Sequence, residues 1–209
     1  MMKDLLHTEG PVLGFLDKIG QIILLSILWL LGSLPIVTIA GASAALYYAV
    51  VKSIRRGQGN AVKEFYKSYR SHFGRGMIVT ATVCILFTAG ICMLHVTQSP
   101  YLAGVIRISL ILLLLASVFL APVLSRFRLN PGGIWKLSLA MSFRFPHYAL
   151  LLLAGTLILI LMQIYVLPIP TVLILPGTWC FLASFPMEKI LLQYMPGKET
   201  NGDSWYYEH

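Results

Sequence analysis

The sequence predicts an all-α fold, a polytopic bundle of transmembrane helices in which residues 1–209 form a single integral membrane domain. Of these residues 57% are hydrophobic and only 11% are charged, whereas a soluble domain has about 45–50% apolar and about 25% charged residues. The mean hydropathy of +0.79 comes from apolar runs long enough to cross a hydrocarbon core of about 30 Å. Lysine and arginine concentrate in two connectors between those runs, as they do in cytoplasmic loops.

Five apolar runs are predicted to span the membrane. They cover residues 17–34, 77–97, 102–123, 147–166 and 170–187. The last run contains a Pro-Gly pair that we expect to kink it, because proline removes a backbone donor from the helix. At this chain length, five or six spans leave almost no residues for a separate soluble domain.

The number of helices depends on the segment after the first run. Residues 19–51 are nearly all apolar or small. This stretch is too long for one membrane span and slightly short for two. The first helix could end at Pro35, with an external N-terminus and an amphipathic surface helix at 42–56. Alternatively, the chain turns at 35–41 and crosses back as a sixth span at 38–55. Small residues after the turn would then allow close packing against the first helix.

A short internal similarity favours the sixth span. Residues 68–73 (SYRSHF) and 142–148 (SFRFPHY) both read serine, aromatic, arginine, then histidine and aromatic, with one inserted proline in the second copy. A run that ends in basic residues precedes each copy, at 53–57 and at 125–128. Two such units in the same orientation form a parallel repeat of the kind that transporters contain. The run ahead of the second copy crosses the membrane, so the repeat predicts that 38–55 crosses too.

The positive charges set the orientation. The connector 52–75 holds seven basic residues and one acidic residue, and the connector 124–146 holds four basic residues and none that is acidic. The short links 97–101 and 167–170 carry no charge. Both connectors are therefore predicted to be cytoplasmic, together with the tail 188–209. With six helices, the N-terminus is cytoplasmic as well.

Residues 60–74 are predicted to form a cytoplasmic amphipathic basic helix. Its apolar face consists of Val62, Tyr66, Tyr69 and Phe73, and its basic face of Lys63, Lys67 and Arg70. A helix of this pattern commonly lies in the plane of the headgroups, and anionic lipids attract each basic residue by about 1 kcal/mol.

The basic residues of this connector are the candidate contacts to a partner protein or to anionic lipid headgroups. They are Arg55, Arg56, Lys63, Lys67, Arg70 and Arg75. The simpler interpretation is that they are only a topology signal and an anchor at the membrane surface.

Arg107 is unusual because it lies about two helical turns inside a predicted span, on the external side. A charge within the membrane commonly faces a bundle interior or cavity. His95 and Gln163 are predicted at a similar depth on neighbouring helices, so the three residues could form a polar outer vestibule. The simpler interpretation is that Arg107 extends its side chain to the membrane surface.

The sequence indicates no catalytic activity. It contains none of the G-x-S-x-G, H-E-x-x-H, Walker or G-x-G-x-x-G motifs. We therefore predict a non-enzymatic protein without catalytic residues, metal site or cofactor. Glu188 and Lys189 are interpreted as solvated residues at a helix end. The net charge of +8 follows from the cytoplasmic connectors and does not require a nucleic-acid partner.

Two stretches resemble a known family. Residues 33–59 (SLPIVTIAGASAALYYAVVKSIRRGQG) and 65–76 (FYKSYRSHFGRG) resemble the YesL-like family of small bacterial membrane proteins, whose function is unknown. Ala40 departs from the family pattern, in which glycine commonly follows the isoleucine directly. The family has no established catalytic or binding residues.

The resemblance implies a location and a role. Family members are often encoded beside carbohydrate ABC importers and their sensor–regulator pairs. The resemblance therefore implies a multi-pass protein of the bacterial cytoplasmic membrane that assists or regulates carbohydrate uptake through an importer permease or a sensor kinase. The alternative is a small stand-alone transporter or channel with the polar outer vestibule. A membrane-embedded enzyme ranks last, and the small-residue surface of the second helix would also suit a homo-oligomer.

Overall fold

The computed structural model describes residues 11–127, 129–165, 168–191 and 193–194, with the backbone alone for 11–16 and 168–172. Within these residues the chain forms seven α-helices and no β-strand, which confirms the all-α prediction. The helices are α1 (Pro11–Ser33), α2 (Ile39–Ala49), α3 (Ala61–Val96), α4 (Pro100–Arg126), α5 (Pro131–Arg144), α6 (Pro146–Tyr165) and α7 (Pro168–Leu191).

Several of these helices have the length and composition of membrane spans. In the described part of the chain, four helical stretches meet that criterion: Ile36–Arg55, Ala61–Val96, Pro100–Arg126 and Pro146–Tyr165. The predicted spans 17–34 and 170–187 fall on α1 and α7. The helices therefore agree with the predicted class, a helical membrane protein, whereas the number of six spans stays a prediction.

The first two helices form an antiparallel hairpin. The Thr38 hydroxyl donates to the carbonyls of Gly32 and Pro35, both at 2.7 Å, and holds the turn closed. The Trp29 indole N–H donates to the Ser43 hydroxyl at 3.1 Å across the two helices. The turn at 35–41 belongs to the second of the two arrangements left open by the sequence, whereas the crossing of the membrane by 38–55 stays a prediction. An amphipathic surface helix at 42–56 is excluded, because α2 is buried on all sides.

The small residues of α2 allow a close approach, although the closest one is to α3 and not to α1. A Cβ atom on Gly76 of α3 would lie 2.7 Å from the Cα of Gly41 in α2. The two backbones therefore touch, as small residues permit at helix interfaces in membranes. The expected packing partner, α1, contacts α2 through larger side chains such as Leu25.

The turn of the hairpin meets α3 near its middle. The Ala40 N–H donates to the Thr80 hydroxyl at 3.1 Å, so the start of α2 lies beside residues 76–80. From there α3 continues to Val96, a further 24 Å or so at about 1.5 Å per residue. The hairpin therefore lies along the basic half of α3 and meets its apolar half only near the start of that half.

This register predicts where the tip of the hairpin stops. Leu34, at the tip, is 76% exposed. In a protein with its native cysteines replaced, we expect that a membrane-impermeant maleimide added from outside does not label Leu34→Cys. The same reagent should label Gln98→Cys in the α3–α4 link, and both should react once detergent dissolves the membrane. External labelling of Leu34→Cys would instead show that 38–55 crosses completely.

The basic segment 60–74 is not a separate helix. It forms the first turns of α3, which runs unbroken for 36 residues, about 54 Å. Its buried face consists of Ala61, Phe65, Ser68, His72 and Gly76. Of the predicted apolar face Val62, Tyr66, Tyr69 and Phe73, only Tyr69 is half-buried, so the protein packs on a different face of this segment. Since this segment is continuous with the apolar part of α3 and packs on the hairpin, it cannot lie flat in the headgroup plane when that part spans the membrane.

The second connector is also helical. It forms α5, and Pro146 separates it from α6, whereas the corresponding part of α3 continues without a break. Asn60 precedes α3 and Asn130 precedes α5 as the N-cap residue of each helix. This order of elements has the form that the parallel repeat predicts, and the inserted proline accounts for the one difference. The repeat itself stays a prediction.

Candidate functional site

Three helices meet around one buried carboxylate at the basic end of the bundle. The Glu188 side chain of α7 forms an ion pair with Arg126 of α4, and the two side chains are only 7% and 3% exposed. The Tyr47 hydroxyl of α2 donates to the same carboxylate oxygen at 2.9 Å. A buried charge is costly unless it is paired and hydrogen-bonded. The triad Tyr47–Arg126–Glu188 therefore holds α2, α4 and α7 in one relative position.

A second ion pair joins the segment that follows α2 to the start of α3. Residues Val50–Arg55 form a π-helical segment, a rare geometry that often occurs at functional sites. Lys52, within it, places its ammonium 2.8 Å from a Glu64 carboxylate oxygen and donates to the Tyr48 hydroxyl at 3.2 Å. One ion pair and the Tyr47 hydrogen bond to Glu188 thus connect the hairpin to the rest of the bundle.

Of the six predicted contact residues, three lie apart from one another and three share one face of α3. Arg55 donates to the Ser184 carbonyl at 3.1 Å and lies over the Phe185 ring, so it binds α7 of the same chain. Arg75 is half-buried, and Arg56 is exposed in the link between α2 and α3. The remaining three residues, described next, share one exposed face.

Lys63, Lys67 and Arg70 form an exposed basic row on α3. They recur at i, i+4 and i+7 and therefore lie on one side of the helix. Together with Tyr66 and Ser71 they line a shallow groove of about 490 Å³. The opposite side of the same turns packs against the hairpin through Phe65 and its neighbours. The basic row is therefore held on a fixed scaffold and faces outward.

A larger cavity lies within the bundle. Its volume is about 610 Å³, and residues of α1, α2, α4, α6 and α7 line it. Tyr47 of the triad lines it next to Met187, so the ion pair lies just beyond one end. Among the described residues of the lining, none carries a charge. The cavity is therefore suited to an apolar occupant.

The predicted outer cluster is not gathered at this cavity. Gln163 lines it, whereas His95 in the last turn of α3 and Arg107 on α4 are exposed and are not part of the lining. The cavity wall is mostly apolar where a polar vestibule was expected. The vestibule stays a prediction.

Sequence reasoning missed the buried triad. Glu188 was interpreted as solvated, but it is buried, and of that pair only Lys189 is exposed. A usable signal was present in the sequence. Arg126 and Glu188 each end an apolar run on the same predicted side of the membrane, and opposite charges at one depth can pair.

No metal centre is evident in the part of the chain that the structure describes. Within it, no three histidine, cysteine, aspartate or glutamate side chains come together as ligands would have to.

One comparison with known proteins gives a match. The model of a family described as "Protein of unknown function, DUF624" matches residues 22–95, just over a third of the chain. The matched region begins halfway along α1 and runs through α2 almost to the end of α3, so it includes the turn of the hairpin, the Gly41–Gly76 contact and the basic row. No curated protein and no solved structure matches the chain.

Proposed function

We propose that this protein is a non-enzymatic accessory protein of the bacterial cytoplasmic membrane, with both termini in the cytoplasm, and that it docks a partner through the basic row. The observation that carries the proposal is the exposure of Lys63, Lys67 and Arg70 on turns whose opposite face is packed. Residues that served only as a topology signal would need positive charge but no common, rigidly held face.

The chemistry of the row indicates an acidic partner surface. The row extends for about 10 Å along α3 at about 1.5 Å per residue. Tyr66, which is 65% exposed, lies within it and offers an apolar contact beside the charges. Tyrosine and arginine are enriched at protein interfaces, and complementary charge speeds association and selects the partner. Anionic headgroups offer the same charge, and the experiment below separates the two.

The identity of the partner is proposed from the family resemblance. That resemblance favours the permease of a carbohydrate ABC importer or a sensor kinase, and hence a role in carbohydrate uptake. Both partners expose cytoplasmic surfaces close to the membrane, within reach of α3.

The test is recovery of the partner from native membranes. The tagged protein is purified in mild detergent, and co-purifying proteins are measured by mass spectrometry. The variant Lys63→Gln/Lys67→Gln/Arg70→Gln should recover about tenfold less partner, since each lost charge contact contributes a few tenths to 1 kcal/mol. The control removes the same charge from other exposed positions: Lys136→Gln/Arg144→Gln/Lys189→Gln.

Two outcomes would contradict docking through the row. Equal losses in the two triple variants would indicate a general charge effect. Undiminished recovery in the first variant, together with weaker binding to vesicles of anionic lipid, would show that the row is a lipid anchor.

A stand-alone transporter is the second candidate, and the cavity is the observation that favours it. It requires solute flux in liposomes that contain this protein alone. Flux that is unchanged by Arg107→Ala would remove that residue, and with it the polar vestibule, from the pathway.

A further inference from the structure

We propose that the cavity between α6, α7 and the hairpin holds one acyl chain of a phospholipid from the surrounding membrane. This inference is independent of the docking proposal, because the basic row lies on α3, which contributes no residue to the cavity.

The lining selects an apolar occupant. Its few hydroxyls are already engaged: the Ser117 hydroxyl donates to the Leu114 carbonyl at 2.6 Å, and that of Thr156 to the Leu152 carbonyl at 2.7 Å. The Trp29 indole N–H is likewise bonded to Ser43. Water in such a site would find few polar partners, whereas a hydrocarbon chain requires none.

The length of the cavity is close to the hydrocarbon thickness of one membrane leaflet. Along α6 the lining runs from Leu152 to Ile164, about 18 Å at about 1.5 Å per residue. Half of a hydrocarbon core of about 30 Å is roughly 15 Å, which is the depth that one acyl chain covers. The volume of about 610 Å³ lies within the range of about 300–1,000 Å³ that is typical of ligand sites.

The cavity opens sideways, toward lipid. Ile160 and Ile164 line it and are nevertheless 52% and 65% exposed. At the other end, Tyr47 and Met187 are buried and close it. A chain can therefore enter from the membrane along α6, with its terminal methyl group toward Tyr47. Its headgroup then remains near Gln163, close to the C-terminal end of α6.

The test counts the lipid that stays with the purified protein. Protein from vesicles of phosphatidylglycerol with brominated acyl chains is transferred to lipid-free detergent and weighed by native mass spectrometry. The wild-type chain should retain one phospholipid. The variant Ala121→Phe/Ala183→Phe, which fills the cavity, should retain less than a tenth as much. The control Ala89→Phe/Ala154→Phe makes the same change on exposed helix surfaces and should retain the wild-type amount.

Fluorescence gives a second measurement that needs no cavity variant. Trp29 and Trp179 both line the cavity. In a Trp135→Phe/Trp205→Phe protein with one retained lipid, a brominated chain should quench their emission relative to an ordinary chain. The proposal is overturned if the wild type retains no lipid, if the filled and control variants retain equal amounts, if bromination changes no emission, or if a lipid-free dimer is found.

Discussion

Replacement of Glu188 by leucine is expected to destabilise the protein by about 3–5 kcal/mol, the usual cost of breaking a buried ion pair by removal of one partner. The Arg126 guanidinium, in a side chain only 3% exposed, loses its carboxylate on α7. The Tyr47 hydroxyl loses its acceptor at the same time, which adds the cost of a buried polar group without that bond. The contacts between α2, α4 and α7 should loosen together.

A second substitution should recover much of this loss. In the double variant Glu188→Leu/Arg126→Met, neither charge is buried, and replacement of a whole buried pair by apolar side chains is often close to neutral. The control is Lys189→Leu, which removes a charge from the next residue, where the side chain is exposed. Its effect should stay within about 0.5 kcal/mol, as is usual for surface substitutions.

Thermal unfolding in detergent measures these differences. A loss of this size should lower the midpoint of Glu188→Leu by about 10 °C, with the double variant above the single one and Lys189→Leu near the wild type. Equal midpoints for Glu188→Leu and Lys189→Leu would mean that the triad does not hold the helices. A double variant no better than the single one would show that the burial of Arg126 is not the cause.

Gly76→Ala is expected to destabilise the contact of α2 with α3 by about 1–3 kcal/mol, as overpacking commonly does. The added Cβ would lie 2.7 Å from both the Cα and the N of Gly41. Because these are backbone atoms, no side chain can rotate away, and the two helices must separate. The Ala40–Thr80 hydrogen bond, which joins the same two helices, should weaken with them.

Gly74→Ala is the matched control two residues away. A Cβ at Gly74 would meet nothing within 4 Å. Alanine is better than glycine inside a helix by about 1 kcal/mol, so this variant should be neutral or slightly more stable. Gly41→Ala should also be tolerated, because its Cβ would come no closer than 3.7 Å to α3. Unfolding midpoints in detergent give the comparison, and a Gly76→Ala protein as stable as Gly74→Ala would contradict the close approach.

The positions of the apolar helices were predictable from the sequence. The apolar runs at 77–97, 102–123 and 147–166 coincide with the apolar parts of α3, α4 and α6. Such runs are readable because a hydrocarbon core requires many consecutive apolar residues, whatever their neighbours are. The turn at Pro35 was one of two predicted arrangements, and proline supplied the signal.

The face of each helix was less predictable. Hydrophobicity placed Tyr66 and Phe73 on the apolar face of the first turns of α3, but Ser68, His72 and Gly76 are among the residues that pack within the protein. Among helices of a membrane protein, small and polar residues form many of the contacts, and large apolar side chains can face lipid. Apolar periodicity therefore does not identify the packed face.

By itself, the sequence determined the helical class, the positions of most helices and the concentration of positive charge on one side. These depend on local composition, and the membrane acts on each segment separately. The tertiary structure alone decided that Glu188 meets Arg126, that Gly41 touches Gly76, and that Lys63, Lys67 and Arg70 remain exposed. It also placed the cavity beside Tyr47. These features join residues far apart in the chain, and they depend on the register and crossing of helices, to which many residues contribute small energies at once.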